Sequence, residues 1–399
     1  MELYNTFALL LVVAALFGYL NHRFLRLPST IGLMLLALVS SLLAVGLGRL
    51  GVPGVLAASE LLRNIDFHTL LMQVMLSFLL FAGAIHVDVR ALGAQRGAVA
   101  ALASGGMLLS MGLVATSMYV IMPLCGVELE FIYCLLFGAL ISPTDPIAVL
   151  GILKSARIAK SLEIKIVGES LFNDGVAVVV FVSLFQIALH GEKQATADVI
   201  GMLFLREAVE GILLGAALGY TTFWALRTID NYQVEVLITL ALVTGGTALA
   251  TALHTSGPLA MVVAGLVVGN KGRSLGMSDL TREYLDKFWE MVDEILNAVL
   301  FVLIGLEVLI LHINRTTLLL GIMAIGVVLL ARLVSVALPL SLLRRWYHFD
   351  RPTLRILTWG GLRGGISVVL ACPGPKLCRA IYWWALRTLW WSSPSSYKV

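Results

Sequence analysis

The amino-acid sequence predicts an all-α polytopic membrane protein. Hydrophobic residues make up 59% of the 399 residues and charged residues only 13%, against about 25% charged residues in soluble chains. The mean hydropathy is +0.94. A soluble fold of this size could not hide so much apolar surface from water, so a lipid bilayer is the expected solvent.

Apolar runs of about 18 or more residues can cross the hydrocarbon core as helices. Twelve runs in the sequence, the ninth of them short, are candidate spans: 5–20, 28–47, 67–86, 97–121, 131–153, 162–189, 199–227, 234–254, 257–270, 288–311, 317–343 and 354–371. No long polar segment interrupts them, which predicts one transmembrane domain over residues 1–371.

The basic residues indicate how the chain is oriented. They concentrate in odd-numbered loops, including 154–165 (with Lys165), 270–287 and 344–355, whereas even-numbered loops are poor in Lys and Arg. Loops rich in Lys and Arg face the cytoplasm. The N-terminus is therefore predicted to lie outside. The net charge of +4 is too small, and too dispersed among short loops, to suggest a nucleic-acid partner.

The segment 372–399 departs from this pattern, because it holds four of the eight tryptophans and no apolar stretch long enough to span. We consider two interpretations: an interfacial segment with an aromatic belt, or a frame shift after Ala371 that replaces a last helix. The four cysteines show no paired spacing, and the sequence has no Walker-type loop. No metal cofactor, disulfide framework or ATP site is therefore expected.

The sixth run contains a polar cluster next to an entirely apolar half-helix. Ionisable residues inside a span are unfavourable and usually functional. Ser170 and Asp174 are four residues apart and share one helix face, while Glu169 and Asn173 share another about 100° away. The first pair can present hard oxygen ligands to a small cation such as Na⁺, and the second can face a structural partner.

The fifth run is expected to break in its middle. Pro143 and Pro146 flank Thr144 and Asp145, and two prolines this close remove backbone donors and clash with preceding carbonyls. Unwound backbone at membrane depth is tolerated only where it lines a cavity or is buried in protein. We therefore expect Thr144 to supply a ligand oxygen and Asp145 to bind the freed amides or face the cavity.

Two arginines lie inside later runs, Arg332 in the eleventh and Arg363 among four glycines in the twelfth. A buried carboxylate without a cationic partner would become protonated. We therefore predict an ion pair between Glu169 and Arg332, with Arg363 as the second choice of partner. This pair would leave Asp174 as the group that titrates.

Three of these motifs together resemble the monovalent cation:proton antiporter-1 family, which holds bacterial sodium/proton antiporters and animal sodium/hydrogen exchangers. They are ESLFND from Glu169 to Asp174, PTDP from Pro143 to Pro146, and GLRG from Gly361 to Gly364. The resemblance covers about residues 1–371. It implies a thirteen-helix fold with two inverted repeats, two broken crossing helices, a core domain and a dimer domain, hence a homodimer in a bacterial inner membrane. The family's thirteenth helix is not recognisable here.

The resemblance also assigns roles by motif. The family's ion-binding aspartate falls on Asp174, beside Asn173 where electrogenic relatives carry a second aspartate. Its other motif residues fall on Glu169, Thr144, Asp145 and Arg332. A lysine that electrogenic relatives carry in the tenth span is missing.

The resemblance thus implies a secondary transporter, not an enzyme, that exchanges Na⁺ for H⁺ one for one without a cofactor and serves pH homeostasis. A K⁺/H⁺ antiporter, a cation channel and a non-transporting ion sensor are alternatives that the sequence leaves open.

Overall fold

A computed structural model of the chain describes residues 2–27, 29–49, 75–126, 128–144, 160–190, 197–272, 277–307, 315–345 and 353–359. Within these ranges the regular structure is entirely helical. The predicted all-α fold class is therefore confirmed. Three predictions lie outside the described residues: the roles of Asp145 and Pro146, the position of Arg363, and the nature of segment 372–399.

Fourteen α-helices are present in the described ranges. They are α1 (Glu2–Leu20), α2 (Ser29–Arg49), α3 (Leu76–Ile85), α4 (Val89–Ala94), α5 (Arg96–Ala100), α6 (Met107–Leu124), α7 (Phe131–Ile141), α8 (Lys160–His190), α9 (Ala197–Arg227), α10 (Tyr232–Ala252), α11 (Gly257–Val267), α12 (Asp279–Glu307), α13 (Arg315–Leu343) and α14 (Thr353–Trp359). Three π-helical segments, Asn21–Leu25, Ala101–Gly106 and Val268–Gly272, extend α1, join α5 to α6, and extend α11.

Each of the twelve apolar runs overlaps one of these helices. Among the described residues, six helical segments are long and apolar enough to cross a membrane, and four shorter apolar helices accompany them. The tenth run differs most, because α12 begins at Asp279 rather than near residue 288. In its polar first turns an exposed ion pair joins Glu283 and Lys287, one turn apart. The hydrogen bond from Lys287 lowers the pKa of the Glu283 carboxyl.

Helix starts follow local capping chemistry. Asn231 precedes α10 and its side chain accepts hydrogen bonds from the backbone N–H groups of Gln233 and Val234. Ser256 caps α11 in the same way, with a proline in the first turn. Side-chain oxygens at these positions satisfy backbone donors that have no partner within the helix.

The helices pack into two groups that meet along α8. In one group α1, α2 and α3 lie against α12, while α9 and α10 lie against α11. In the other, α6 packs on α7 and α13, and the Ala101–Gly106 segment packs on α8 and α13. Helix α8 also touches α3, α9 and α11. This central position removes most of α8 from the bilayer, since 78% of its apolar window is buried.

Small residues allow the closest helix crossings. A Cβ on Gly215 of α9 would collide with the backbone of Ala260 in α11, and a Cβ on Gly265 of α11 would lie 3.0 Å from the carbonyl oxygen of Phe81 in α3. In a membrane, such small residues let backbones approach closely and gain dispersion contacts. The stack α3–α11–α9 therefore depends on these two glycines.

A second buried polar network, which the sequence did not indicate, joins α10 to α12. The Trp289 indole N–H donates to the Thr239 hydroxyl at 3.1 Å. The Thr281 hydroxyl donates to the Glu235 carboxylate at 3.4 Å. Trp289, Thr239 and Glu235 are fully buried, so these bonds hold the two helices in register.

Candidate ion-binding site

One turn and a half of α8 carries four buried polar side chains. Glu169, Ser170, Asn173 and Asp174 are between 1% and 7% exposed. The helix is apolar directly after them, from Val176 to Phe181. Polar groups at such a position need partners on neighbouring elements, because neither water nor lipid satisfies them there.

The fifth apolar run is helical only up to Ile141. The next three residues, Ser142, Pro143 and Thr144, are buried but not helical. A helix usually ends at or before the residue preceding a proline, which explains the end of α7 next to Pro143. The predicted interruption therefore starts within the described residues and leaves non-helical backbone facing α8.

Side chains of α8 form hydrogen bonds with this non-helical segment. The Ser170 hydroxyl donates a hydrogen bond to the Thr144 carbonyl oxygen. The Asn173 amide donates to the Thr144 hydroxyl at 2.9 Å. On the other side, the Ser142 hydroxyl donates to Ser110 of α6 at 3.1 Å. These bonds hold the end of α7 between α6 and the turn of α8 that carries Asp174.

The division of helix faces differs from the sequence interpretation in one respect. Asn173 shares a hydrogen-bond partner with Ser170, not with Glu169. Residues three apart are also neighbours on a helix surface, so Ser170 and Asn173 can reach the same target. Among the described residues the Asn173 side-chain oxygen has no hydrogen-bond partner, although it is buried. Within the part of the chain that the structure describes, an open acceptor therefore lies one residue from Asp174.

The predicted partners Glu169 and Arg332 meet as a buried ion pair. Arg332 of α13 donates from one terminal nitrogen to the Glu169 carboxylate at 2.6 Å. Its other terminal nitrogen donates to the Leu357 carbonyl of α14 at 3.1 Å. The two charged side chains are 6% and 2% exposed. One guanidinium thus ties α8, α13 and α14 together, and the Leu357 carbonyl is a partner that no sequence pattern indicates.

Lys165 corrects the interpretation of the 154–165 loop. We expected it to be a loop residue that signals orientation, but it lies in the second turn of α8 and is only 4% exposed. The helix starts at Lys160, several residues before the apolar run becomes continuous. The spacing of four residues between Lys165 and Glu169 could have indicated this, because residues one helical turn apart lie on the same helix face.

Comparison with known proteins identifies the family of the chain. The family model described as "Sodium/hydrogen exchanger, transmembrane" matches residues 11–385. The chain belongs to this family. The Na⁺/H⁺ antiporter NhaP of Pseudomonas aeruginosa is 52% identical over 373 residues, which cover 92% of this chain and 88% of the relative. NhaH of Halobacillus dabanensis, also described as a Na⁺/H⁺ antiporter, is 32% identical over 88% of this chain and 84% of its own length.

A solved structure of a sodium proton antiporter has a similar fold. The structure of the sodium proton antiporter MjNhaP1 from Methanocaldococcus jannaschii superposes with a TM-score of 0.72. The alignment covers 96% of this chain and 88% of that one, at 21% sequence identity. The predicted family and antiporter fold are therefore confirmed, and the relatives are transporters rather than enzymes.

Proposed function

We propose that this chain exchanges Na⁺ for H⁺ across the membrane one for one, and that the two ions compete for Asp174. Relatives covering most of the chain are named Na⁺/H⁺ antiporters. The observation that carries the proposal is the pair of hydrogen bonds from Ser170 and Asn173 to Thr144, which hold the non-helical end of α7 beside the α8 turn that carries Asp174.

The chemistry of this site suits a small hard cation. Such cations prefer oxygen ligands from carboxylates, hydroxyls and carbonyls. Asp174 brings a carboxylate, Ser170 and Thr144 bring hydroxyls, and the Asn173 oxygen has no partner among the described residues. Asp145, which the family resemblance also assigns to the site, would follow Thr144 directly. No resident cofactor enters the proposal, because Na⁺ and H⁺ are the cargo.

Exchange follows from the burial of one carboxylate. A deprotonated Asp174 without a cation would carry its charge across a low-dielectric barrier, at an energetic penalty of several kcal/mol. A bound proton or a bound Na⁺ removes that charge. Only the loaded site therefore crosses easily, which couples the two fluxes, and the proton gradient drives Na⁺ movement.

One titrating carboxylate gives electroneutral exchange, because one positive charge moves in each direction. Asn173 supplies an amide where a second carboxylate would add a charge. The sequence also has no lysine between Glu290 and Ile310. The exchange rate should therefore not respond to a membrane potential imposed with valinomycin and K⁺, and a clear response would contradict the one-for-one ratio.

The remaining features of the proposal come from the family. Movement of a core domain against a dimer domain would expose the site alternately to the two sides. The working unit would be a homodimer in a bacterial inner membrane, with the N-terminus outside and a role in pH homeostasis. Labelling of single cysteines introduced at Glu2 and at Ser155, which lies in the predicted 154–165 loop, from opposite sides of right-side-out vesicles tests the orientation.

The function is tested in proteoliposomes that carry a pH gradient and an internal pH dye. Adding Na⁺ should dissipate the gradient in the parent protein and not in Asp174→Asn, since the amide cannot carry a proton. Glu283→Gln is the matched control, because it removes an exposed carboxylate of α12 and should leave the response unchanged. Proton movement that survives Asp174→Asn would show that another residue binds the ion.

The same assay separates the alternatives. K⁺ or Li⁺ in place of Na⁺ establishes which cation is exchanged, and a response to K⁺ alone would indicate a K⁺/H⁺ antiporter. Cation flux without any pH gradient or proton movement would indicate a channel. Ion binding without flux would indicate a sensor.

A further inference from the structure

The turn between α1 and α2 is held in one conformation by its own hydrogen bonds. The buried Asn21 side chain donates to the Leu27 carbonyl at 2.9 Å and accepts from the Leu27 N–H at 3.3 Å. The Arg26 N–H donates to the Asn21 carbonyl at 2.7 Å. Arg26 itself has a φ of 53°, in the left-handed region that non-glycine residues seldom adopt. This defined geometry fixes the position of the charged side chains on the turn.

The turn borders a cavity of about 700 Å³. Arg23, Arg26 and His22 line it on the turn, the Ser29 hydroxyl lines it at the start of α2, and Leu33 supplies an apolar wall. The cavity therefore combines two guanidinium groups with hydrogen-bonding and apolar surface, a combination that fits a phosphate bearing a hydrocarbon body.

Within the described part of the chain, no carboxylate forms an ion pair with the positive groups of this cavity. Neither Arg23 nor Arg26 forms an ion pair within the ranges that the structure describes. No Asp or Glu occurs between Glu2 and Glu60 in the sequence. An arginine that is not paired within the protein can bind an external anion, and phosphate oxygens match its bidentate geometry.

An apolar stripe on α1 leads directly to the arginines. Val12, Leu16 and Tyr19 are 52–65% exposed, and their spacing of four and three residues puts them on one helix face. Arg23 follows Tyr19 by four further residues at the end of the same face. Next to it, Phe24 is 72% exposed and adds apolar surface that can insert into the membrane interface.

From this arrangement we infer that the α1–α2 turn binds the phosphodiester headgroup of an anionic phospholipid. The acyl chains lie along the α1 stripe, and Arg23 and Arg26 hold the phosphate. The turn forms the first, odd-numbered loop, which the distribution of basic residues predicts to be cytoplasmic, where anionic lipids attract basic groups. A zwitterionic headgroup gains less, because its own cation repels the two arginines. This inference does not depend on the ion that is transported.

Native mass spectrometry of the purified protein in detergent tests the site, with phosphatidylglycerol and phosphatidylcholine as titrants. The parent should bind the first phosphatidylglycerol more tightly than phosphatidylcholine. Arg23→Gln/Arg26→Gln should weaken that binding about thirtyfold, since each arginine near an anionic lipid contributes a factor of about five. The matched control Arg344→Gln/Arg345→Gln removes two exposed charges from another loop with the same predicted orientation and should keep the affinity.

Four results would overturn the inference. Equal affinity for the two lipids in the parent would remove the role of charge, and this comparison holds even if the double variant does not fold. Unchanged binding to a folded double variant would place the lipid elsewhere. Displacement of the lipid by millimolar inorganic phosphate would indicate a site for free anions. Binding of the lipid to the monomer but not to the dimer would show that a second copy of the chain covers the stripe.

Discussion

Breaking the pair between Glu169 and Arg332 should destabilise the protein far more than its single 2.6 Å contact suggests. Both side chains are almost fully buried. Replacing Arg332 with Met removes the guanidinium from the buried Glu169 carboxylate. Replacing Glu169 with Leu leaves a buried cation that keeps its hydrogen bond to the Leu357 carbonyl oxygen. Removing one partner of a buried ion pair lowers the free energy of unfolding by about 3–5 kcal/mol, because the other charge remains buried without its counterion.

The double variant Glu169→Leu/Arg332→Met should recover most of this loss. An apolar pair of similar volume carries no desolvation penalty, and such replacements are often neutral or stabilising. The two single changes are therefore strongly non-additive, with a coupling energy of several kcal/mol between side chains 163 residues apart in sequence.

Thermal unfolding in detergent, followed by tryptophan fluorescence at a fixed scan rate, measures the effect. A free-energy change of 1 kcal/mol shifts the midpoint by roughly 2 °C in a chain of this size. Each single variant should therefore lose about 6–10 °C, and the double variant much less.

The pair Glu283–Lys287 is a matched control for this cycle, because its N–O distance is also 2.6 Å but both side chains are more than 60% exposed. Its single variants should not change the midpoint measurably, since water solvates each charge when its partner is removed. Single Glu169 or Arg332 variants that unfold within 1 °C of the parent, or losses that add in the double variant, would refute the reasoning.

Three further predictions concern the site and its supporting helices. Thr144→Val should lower the free energy of unfolding by about 1–3 kcal/mol and raise the Na⁺ concentration for half-maximal exchange, because it leaves the Asn173 amide buried without its acceptor. An unchanged unfolding midpoint and an unchanged Na⁺ affinity would contradict this. Gly215→Leu should lower the unfolding midpoint by overpacking, whereas Gly245→Ala, with open space around it, should not. If Na⁺ and H⁺ compete at Asp174, the Na⁺ concentration for half-maximal exchange should rise about tenfold for each pH unit below the pKa of the Asp174 carboxyl. A concentration that does not change with pH would exclude competition.

The sequence predicts this fold class well because a bilayer imposes local rules. Each span must be a long apolar helix, and all twelve predicted runs overlap described helices. The same rule makes polar residues within a run conspicuous, so Glu169, Asn173 and Asp174 could be identified without a structure. The proline before Thr144 likewise predicted where α7 would end. The start of α12 was less predictable, because hydropathy does not register a helix that continues beyond the bilayer.

The sequence by itself therefore determined the membrane-spanning class, the family motifs and the polar cluster of the sixth run. Tertiary structure brought the predicted partners Arg332 and Glu169 together. It alone decided that Asn173 pairs with Thr144 rather than lying alongside Glu169, and that the Leu357 carbonyl is a further partner of Arg332. It also placed Lys165 inside a helix rather than in a loop. The physical reason is that hydropathy and helix periodicity act over neighbouring residues, whereas a buried charge selects its partner among helices far apart in the chain.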